Sequence, residues 1–396
     1  MELWKKNLIV CWFGCFATAA GLSQIAPVLP LYIEHLGVHN IDEIEQWSGI
    51  AFGVTFIVMA IASPIWGQAA DRYGRKPMLL RASLGMAIVI TCMGFVQNIY
   101  QLVGLRLIQG AVSGFVSAAI TLIATQAPKA RAGWALGTLS TGAVGGMLLG
   151  PLIGGYLAET WGLHSVFFAT GALLMVAFMA SLLFVQEDFK APTHNVLSFR
   201  EVWGLIPNPS VMITMFVTTF ILQLALLSIE PIITVYITQL HVTDHVVLIS
   251  GTVFAASGFG NMLAASQLGK LSDKIGPQKV MLVALIAAGL LFIPQAFVTN
   301  PWQLMGLRFL LGIAAAGLLP SINTLIMRNT PSSITGRAFG YNQSAQFLGS
   351  FAGSLLGGQT AATFGIHYVF FVTAALLLLN AIWVYTTVCK KVALRT

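Results

Sequence analysis

Three charged residues interrupt long apolar stretches of the chain. Arg106 and Arg308 lie inside runs of mostly apolar residues, and Glu230 is the only carboxylate well inside such a run. Charges are costly within a bilayer and usually have a function there. A carboxylate that alternates between an apolar environment and a nearby guanidinium takes up and releases a proton. Proton transfer is therefore the chemistry that these residue types and positions indicate.

The predicted depth of the three charges supports this interpretation. At a rise of 1.5 Å per residue, Arg106 and Arg308 lie roughly 10 Å from the outer ends of their predicted helices, and Glu230 lies about 12 Å deep. Glu230 and Arg308 are therefore expected at nearly the same level. Two interpretations stay open: Glu230 carries a coupling proton, or the two residues form a static ion pair that braces the second half of the chain.

The composition requires that lipid surrounds most of the chain. Apolar residues form 57% of the 396 residues and charged residues only 8%, too few for a water-soluble surface. Disorder, a coiled coil and nucleic-acid binding do not fit, despite a net charge of +7. A helix needs about 20 apolar residues to cross a bilayer. An all-α membrane protein with twelve transmembrane helices is predicted, at 8–33, 47–70, 78–97, 100–125, 134–158, 163–186, 210–238, 246–269, 279–298, 301–327, 337–362 and 366–389.

The positions of lysine and arginine predict the orientation of these helices. With both termini in the cytoplasm, all of the 20 basic residues except Arg106 and Arg308 fall in cytoplasmic segments, as the positive-inside rule requires. A signal peptide that ends near Ala17-Thr18-Ala19 is the alternative for the N-terminus. The apolar run continues to Tyr32, which favours a first transmembrane helix.

An internal repeat divides the chain into two halves. Gly67–Lys76 recurs as Gly269–Lys279, and Leu102–Arg106 recurs as Leu304–Arg308, both with an offset of 202 residues at their first positions. We expect six-helix halves at 1–186 and 210–396, joined by a cytoplasmic linker at 187–209. Repeats in the same orientation imply a pseudo-two-fold axis along the membrane normal, with a binding site between the halves near the midplane.

The repeat also shows that Arg106 has no carboxylate at the place where Arg308 has one. The position that matches Glu230 in the first half is Ala26. The candidate partners of Arg106 are Gln109 one helical turn away, Glu34 at the outer end of the first helix, and Glu230 itself. Glu230, Arg106, Arg308 and Glu34 are the predicted proton-coupling residues.

Two motifs resemble those of the major facilitator superfamily, and a third follows below. The loop Gly67-x-x-x-Asp71-Arg72-x-Gly74-Arg75-Lys76 is similar to its G-x-x-x-D-R-x-G-R-K signature. Arg106-x-x-Gln109-Gly110 resembles the motif of the fourth helix that is associated with proton coupling. The resemblance covers nearly the whole chain and implies a twelve-helix drug:proton antiporter of the bacterial inner membrane. The implied partners are protons, lipid and amphiphilic small molecules, for a monomer without cofactor or metal.

The resemblance implies a conformational gate in the loop after the second helix. Asp71 is expected to meet the positive N-terminal end of the eleventh helix near Arg337, a contact that would form in one state and break in the other. The alternative is that the basic residues of the loop only anchor it to anionic headgroups. The predicted gate residues are Gly67, Asp71, Arg72, Gly74, Arg75 and Lys76, with Asp273 as the counterpart of Asp71 in the second half.

The fifth predicted helix resembles the exporter motif of the same superfamily. Gly146, Gly150 and Gly154 recur every fourth residue and share one face, and Pro151 is expected to bend the helix. Ordinary tight packing is the alternative explanation for the glycines. In the second half Ser354 takes the place of the proline, so the bend is expected in one half only.

The cargo is predicted only as a class. Aromatic walls with a few amides suit bulky amphiphilic molecules. Open alternatives are export of a native metabolite such as a siderophore, uptake by symport, and a non-transporting sensor of the same fold. No phosphate-binding loop and no hydrolase motif is found, so neither ATP hydrolysis nor an enzyme is expected. The predicted cavity residues are Gln24, Phe52, Phe220, Gln223, Phe254, Asn323, Asn342 and Gln346.

The seven histidines all lie outside the deep parts of the predicted helices. All except His194, in the linker, are at outer ends. A histidine relay across the membrane is not expected, and solvated loop residues are favoured over an outer pH sensor.

Overall fold

The computed structural model describes residues 2–128, 131–189, 199–242, 244–331 and 334–389. His194, most of the predicted linker, and Lys129, Lys190, Lys390, Lys391 and Arg395 of the cytoplasmic charges lie outside the described residues. Within the described ranges all regular elements are helical, which confirms the predicted all-α fold.

The first half of the chain contains eight helices. They are α1 Leu3–Ser23, α2 Ile25–His35, α3 Ile41–Tyr73, α4 Arg75–Met93, α5 Ile99–Val112, α6 Phe115–Gln126, α7 Ala132–Trp161 and α8 Leu163–Phe184.

The second half repeats this order after a short helix. The helices are α9 Phe199–Gly204, α10 Pro209–Ile229, α11 Ile233–Gln239, α12 Val246–Ile275, α13 Pro277–Gln295, α14 Pro301–Ala315, α15 Leu318–Arg328, α16 Thr335–Phe364 and α17 Ile366–Val384.

The predicted transmembrane segments correspond to these helices. By length and composition, 11 helical segments of the described chain are suited to cross a membrane. The remaining predicted segment is α16, which is 30 residues long but rich in glycine, serine and glutamine. The chain is therefore a multi-pass membrane protein.

Four predicted segments are interrupted, and they are related in pairs by the repeat. The first breaks between α1 and α2, the fourth between α5 and α6, the seventh between α10 and α11, and the tenth between α14 and α15. Pro27 and Pro231, at equivalent positions, lack the N–H that would continue the helical hydrogen bonds. Gly114 has a φ of +124°, which favours glycine and separates α5 from α6. Irregular backbone within a membrane protein is tolerated where protein or a cavity surrounds it.

The repeat extends to individual hydrogen bonds. The Tyr32 hydroxyl donates to the Met93 carbonyl at 2.7 Å, and the Tyr236 hydroxyl donates to the Gln295 carbonyl at the same distance. Asn98 and Asn300 cap α5 and α14 in the same way, each accepting from a backbone N–H three residues on. Equivalent residues therefore make equivalent hydrogen bonds in the two halves.

The described chain packs into two compact units that do not coincide with the sequence halves. The first unit consists of Met1–Asn40, Val54–Thr193 and Val242–Ala255, and the second of Ile41–Gly53, His194–His241 and Ala256–Thr396. The start of α3 thus packs with the second unit and the start of α12 with the first. The boundaries predicted at 186 and 210 stay a prediction.

Candidate functional site

Glu230 and Arg308 lie close together in the second unit. Glu230 opens the one-turn 3₁₀ segment Glu230–Ile232 that joins α10 to α11, and its side chain is partly exposed. Arg308, in α14, is only 4% exposed. The two charges interact electrostatically, yet among the described residues no ion-pair contact joins them. The Nε and Nη2 atoms of Arg308 are buried without a hydrogen-bond partner. The two residues therefore influence each other without forming an ion-pair contact, and the choice between a proton carrier and a bracing pair stays open.

Arg106 has a different neighbourhood in the first unit. It is 2% exposed, and its Nη1 donates to Gln109 Oε1 at 2.9 Å. The Thr55 hydroxyl donates to the Arg106 carbonyl at 3.1 Å. Gln109 is thus confirmed as a partner among the three candidates. Glu34 is exposed near the end of α2, so it lies in a solvated position and not in the core.

The loop between α3 and α4 is held by contacts within the first unit. Asp71 pairs with Arg75 at 2.6 Å, and the Asp71 side chain is 59% exposed. The carboxylate of Glu187 accepts from the backbone N–H of Arg75 and of Lys76, both at 2.7 Å. Gly74 precedes them with a φ of +94°, which a glycine adopts without strain. Glu187 therefore caps the N-terminus of α4, where a negative charge is favourable.

The gate function of the loop between α3 and α4 stays a prediction. Arg72 lies over the ring of Tyr73 at 5.3 Å, and space surrounds Gly67. The side chain of Asp273 lies outside the described residues, although its backbone belongs to α12. The expected contact of Asp71 with the start of α16 stays a prediction. Glu187 was missed at the sequence level, where its only signal was an acidic residue just after the sixth predicted helix.

The glycines of α7 allow it to approach α1 closely. A Cβ at Gly150 would lie 2.8 Å from the Ala20 carbonyl oxygen, and one at Gly154 would lie 2.9 Å from that of Gln24. Gly146 faces the Phe16 carbonyl in the same way. The close-packing interpretation is thus confirmed, and the role of the motif in export stays a prediction.

The opposite half repeats these glycine contacts. Gly349, Gly353 and Gly357 of α16 each face a backbone carbonyl of α10. Pro151 lies inside the continuous helix α7, and a Cβ on Gly251 of α12 would meet its carbonyl oxygen. Backbone contact at the glycines therefore does not depend on the proline, which Ser354 replaces in α16.

A buried carboxylate, Glu45, was missed. The segment predicted at 47–70 begins too late, because α3 starts at Ile41 and takes Glu45 into its second turn. Glu45 is 2% exposed, and Gln239 Nε2 donates to its Oε1 at 3.5 Å. Gly358 of α16 packs on the Glu45 carbonyl. The functional candidates therefore include a carboxylate near the start of α3.

The predicted cavity residues differ in burial. Gln24, Phe52 and Asn342 are buried, and the Oδ1 of Asn342 has no hydrogen-bond partner. Gln346 accepts from Gln343 Nε2 at 3.3 Å. That these residues line one substrate cavity stays a prediction. The half-buried members are Phe220, Gln223, Phe254, Asn323 and Gln346.

Solved structures share the fold over nearly the whole chain. A bacterial homologue of the human lysosomal transporter Spinster aligns with a TM-score of 0.81 at 15% identity, covering 98% of this chain and 97% of that one. The nucleoside transporter NupG aligns with a TM-score of 0.78 at 14% identity, covering 98% and 100%. At these identities the likeness shows the fold alone.

Sequence relatives are much closer. Two proteins, each described as Multidrug resistance protein MdtG, from Dickeya zeae and Citrobacter koseri, are 48% identical over 390 residues, or 98% of this chain and 96% of each relative. The profile of the Major Facilitator Superfamily matches residues 11–260 and 231–391. The resemblance that the motifs indicated is confirmed: the chain belongs to the Major Facilitator Superfamily of membrane transporters.

Proposed function

We propose that the chain is a proton-coupled antiporter that exports amphiphilic small molecules by alternating access, without chemical change to the cargo. The observation that carries the proposal is the placement of Glu230 opposite buried Arg308 at a break in the seventh transmembrane segment. Full-length similarity to proteins described as multidrug resistance proteins supports the choice of cargo.

The pair has the properties that a proton carrier needs. The Glu230 side chain is partly exposed, so protons and cargo reach it, whereas the Arg308 guanidinium is buried. Two nitrogens of Arg308 lack hydrogen-bond partners, which strengthens their attraction for a carboxylate in a low-dielectric setting. When Glu230 takes a proton, that attraction is lost. The pair therefore converts proton binding into a change in the contacts between α14 and the turn after α10.

The break in the helix adds freedom of movement at the same residue. Pro231 prevents the backbone hydrogen bond that would lock Glu230 into a continuous helix. The turn is short, so small changes in its backbone angles redirect the carboxylate. We infer that Glu230 moves between Arg308 and the cargo path as the protein alternates between its two states.

The remaining assignments follow from charge and family. The basic residues of the inner loops support cytoplasmic termini in a bacterial inner membrane. Half-buried aromatic and amide side chains on α10, α12 and α16 support an amphiphilic cargo. Asp71 and its loop act as the inner gate in this proposal, and Glu187 positions the start of α4 for it.

The test measures proton exchange in inverted membrane vesicles with an imposed pH gradient. Amphiphilic compounds of positive, neutral and negative charge are added to vesicles with the wild-type chain, and a pH-sensitive dye reports the gradient. Export into the vesicle lumen must dissipate the gradient in exchange for protons. We expect dissipation by wild type and none by Glu230→Gln.

A matched carboxylate separates proton coupling from general damage. Glu43→Gln changes an exposed carboxylate and is expected to exchange like wild type, while Glu230→Asp keeps a titratable group and retains partial exchange. Binding of a fluorescent compound to purified Glu230→Gln should persist, because only the coupling is removed. If Glu230→Gln exchanges normally, the assignment of the proton to this residue is wrong. If wild type binds compounds but never dissipates the gradient, antiport itself is wrong.

A further inference from the structure

Two histidines from distant parts of the sequence meet at the outer end of the first unit. His35 ends α2, and His164 is the second residue of α8, 129 positions later. Their Nε2 atoms are 3.3 Å apart. The proton-coupling scheme uses neither residue, so the pair calls for its own explanation.

The hydrogen bonds fix the tautomer of one ring. His164 Nδ1 lies 2.8 Å from the Gly94 carbonyl oxygen, which only accepts, so Nδ1 carries the hydrogen. In the neutral ring Nε2 is then unprotonated and accepts a hydrogen bond from His35 Nε2, a bond that a metal ion between the two nitrogens would replace. A histidine whose second nitrogen donates to a backbone carbonyl is the usual arrangement at metal sites, because that bond orients the ring.

The spacing of the two nitrogens matches tetrahedral coordination. Zinc binds imidazole nitrogen at about 2.0–2.1 Å, so two nitrogens in a tetrahedral arrangement lie about 3.3–3.4 Å apart. The observed separation of 3.3 Å agrees. The buried ring of Tyr32 contacts both imidazoles, with ring centroids 6.4 Å from His35 and 5.4 Å from His164. His164 is therefore oriented by its bond to Gly94 before an ion arrives, and Tyr32 packs against both rings.

We propose that His35 and His164 form a binding site for a borderline divalent transition metal, such as Zn²⁺, Cu²⁺ or Ni²⁺. Imidazole is a preferred ligand for these ions. His35 is exposed, so water reaches the site and completes the coordination sphere. The described residues hold no group of three or more histidine, cysteine or acidic side chains with suitable geometry, so the pair supplies two protein ligands. A bound ion ties the end of α2 to the start of α8.

The second half contains the same scaffold without the second imidazole. His367 Nδ1 lies 2.7 Å from the Ala296 carbonyl, and the ring of Tyr236 packs against it as Tyr32 does against His164. The position equivalent to His35 is Gln239, which donates instead to Glu45. The bond from imidazole to carbonyl is therefore part of the common fold, and the paired nitrogens belong to the first half alone.

Isothermal titration of Zn²⁺ into the purified full-length chain, without a histidine tag, tests the proposal. Wild type is expected to bind one ion at this site. His35→Gln copies the second half at an exposed position and is expected to lower the affinity at least about 10-fold, since it removes a direct ligand. His367→Gln removes an equivalent ring that has no imidazole partner and should leave Zn²⁺ binding unchanged.

Electron paramagnetic resonance of bound Cu²⁺ identifies the ligands directly. Coupling to two imidazole nitrogens is expected in wild type and to one in His35→Gln. Gln239→His should add a second binding equivalent, because it restores the missing imidazole beside His367. Equal Zn²⁺ affinity in wild type and His35→Gln would overturn the proposal, as would a Cu²⁺ spectrum of wild type without coupling to two imidazoles. A folded wild-type chain that binds no Zn²⁺ would also overturn it.

Discussion

Arg106 and Arg308 occupy equivalent positions of the repeat, but they face different partners. Arg106 donates to the neutral amide of Gln109, whereas Arg308 faces the carboxylate of Glu230 and keeps two nitrogens without partners. A hydrogen bond between a guanidinium and an amide does not respond to pH. The interaction between an arginine and a carboxylate does respond to pH, because the carboxylate loses its charge when it is protonated. We therefore expect the two arginines to respond differently to pH, and we propose proton coupling at Arg308.

The contacts near the C-terminal ends of α7 and α16 also differ in one ionisable residue. Gly155 of α7 packs on the backbone of Val247 and Leu248 in α12, and Gly358 of α16 packs on the Glu45 carbonyl in α3. Val247 and Glu45 match in the repeat, so one contact places a valine where the other buries a carboxylate. The repeat thus determines the helix packing in both halves. The candidate functional residues are ionisable side chains that occur in only one of the two halves.

The largest effect is expected where the two halves are most alike. A Cβ on Gly357 would collide with the Ser228 carbonyl of α10, so Gly357→Ala should destabilise the protein by about 3 kcal/mol or more. Gly306→Ala is the control, because nothing lies within 4 Å of its Cβ position. Alanine there should stabilise α14 by up to about 1 kcal/mol. Thermal unfolding in detergent measures both, and a stable Gly357→Ala would refute the close-contact explanation of the stripe.

The next effect concerns the two arginines. A double-mutant cycle of Arg308→Ala with Glu230→Gln should show a coupling of about 2 kcal/mol while Glu230 is ionised, reduced by its partial exposure. Acidification should abolish this coupling, because a protonated Glu230 has no charge for Arg308 to attract. The matched cycle of Arg106→Ala with Gln109→Ala should give a coupling that is independent of pH, since neither group titrates in the accessible range. Unfolding free energies between alkaline and acidic pH measure both cycles, and identical pH responses would remove the distinction between the two arginines.

The helices could be predicted because lipid restricts the choices so strongly, and the family because several motifs resemble its signatures. Backbone groups in hydrocarbon must bond internally, so long apolar runs become helices. The depth of Arg308 and Glu230 followed from counting residues along two antiparallel helices. Their similar depth was predictable for that reason. The absence of an ion-pair contact between the two side chains was not.

The rest of the site depended on features that hydropathy does not encode. The buried position of Glu45 follows from a helix that starts at Ile41, a shift of a few residues that apolar runs cannot resolve. The meeting of His35 with His164 joins parts of the chain 129 residues apart. The breaks at Gln24 and Glu230 were hidden because each residue lies within a long, mostly apolar stretch of sequence.

Glu45 offers a smaller effect with a defined sign. Its carboxylate is buried with one long hydrogen bond from Gln239, and the matching residue in the repeat is Val247. Replacement of a poorly compensated buried charge by a packed apolar side chain often stabilises, so Glu45→Val should raise stability by about 1 kcal/mol. Glu43→Val, at an exposed position of the same helix, should change stability by less than about 0.5 kcal/mol. Unfolding temperatures of the two variants measure both stability changes. A strongly destabilised Glu45→Val would mean that the carboxylate has a further stabilising partner.

The smallest effect separates folding from gating in the loop after α3. Glu187 caps α4 through the backbone N–H of Arg75 and Lys76, so Glu187→Gln should cost about 1 kcal/mol of stability. In the second half the position of Arg75 is Pro277, which has no N–H to donate, so this cap belongs to the first half alone. The Asp71–Arg75 pair is largely exposed on the Asp71 side, and Asp71→Asn should cost less than about 0.5 kcal/mol. If Asp71→Asn nevertheless lowers proton exchange in vesicles more than Glu187→Gln does, the carboxylate of Asp71 acts in the transport cycle and not in folding. Losses of exchange that follow the losses of stability would instead assign both residues to the same structural role.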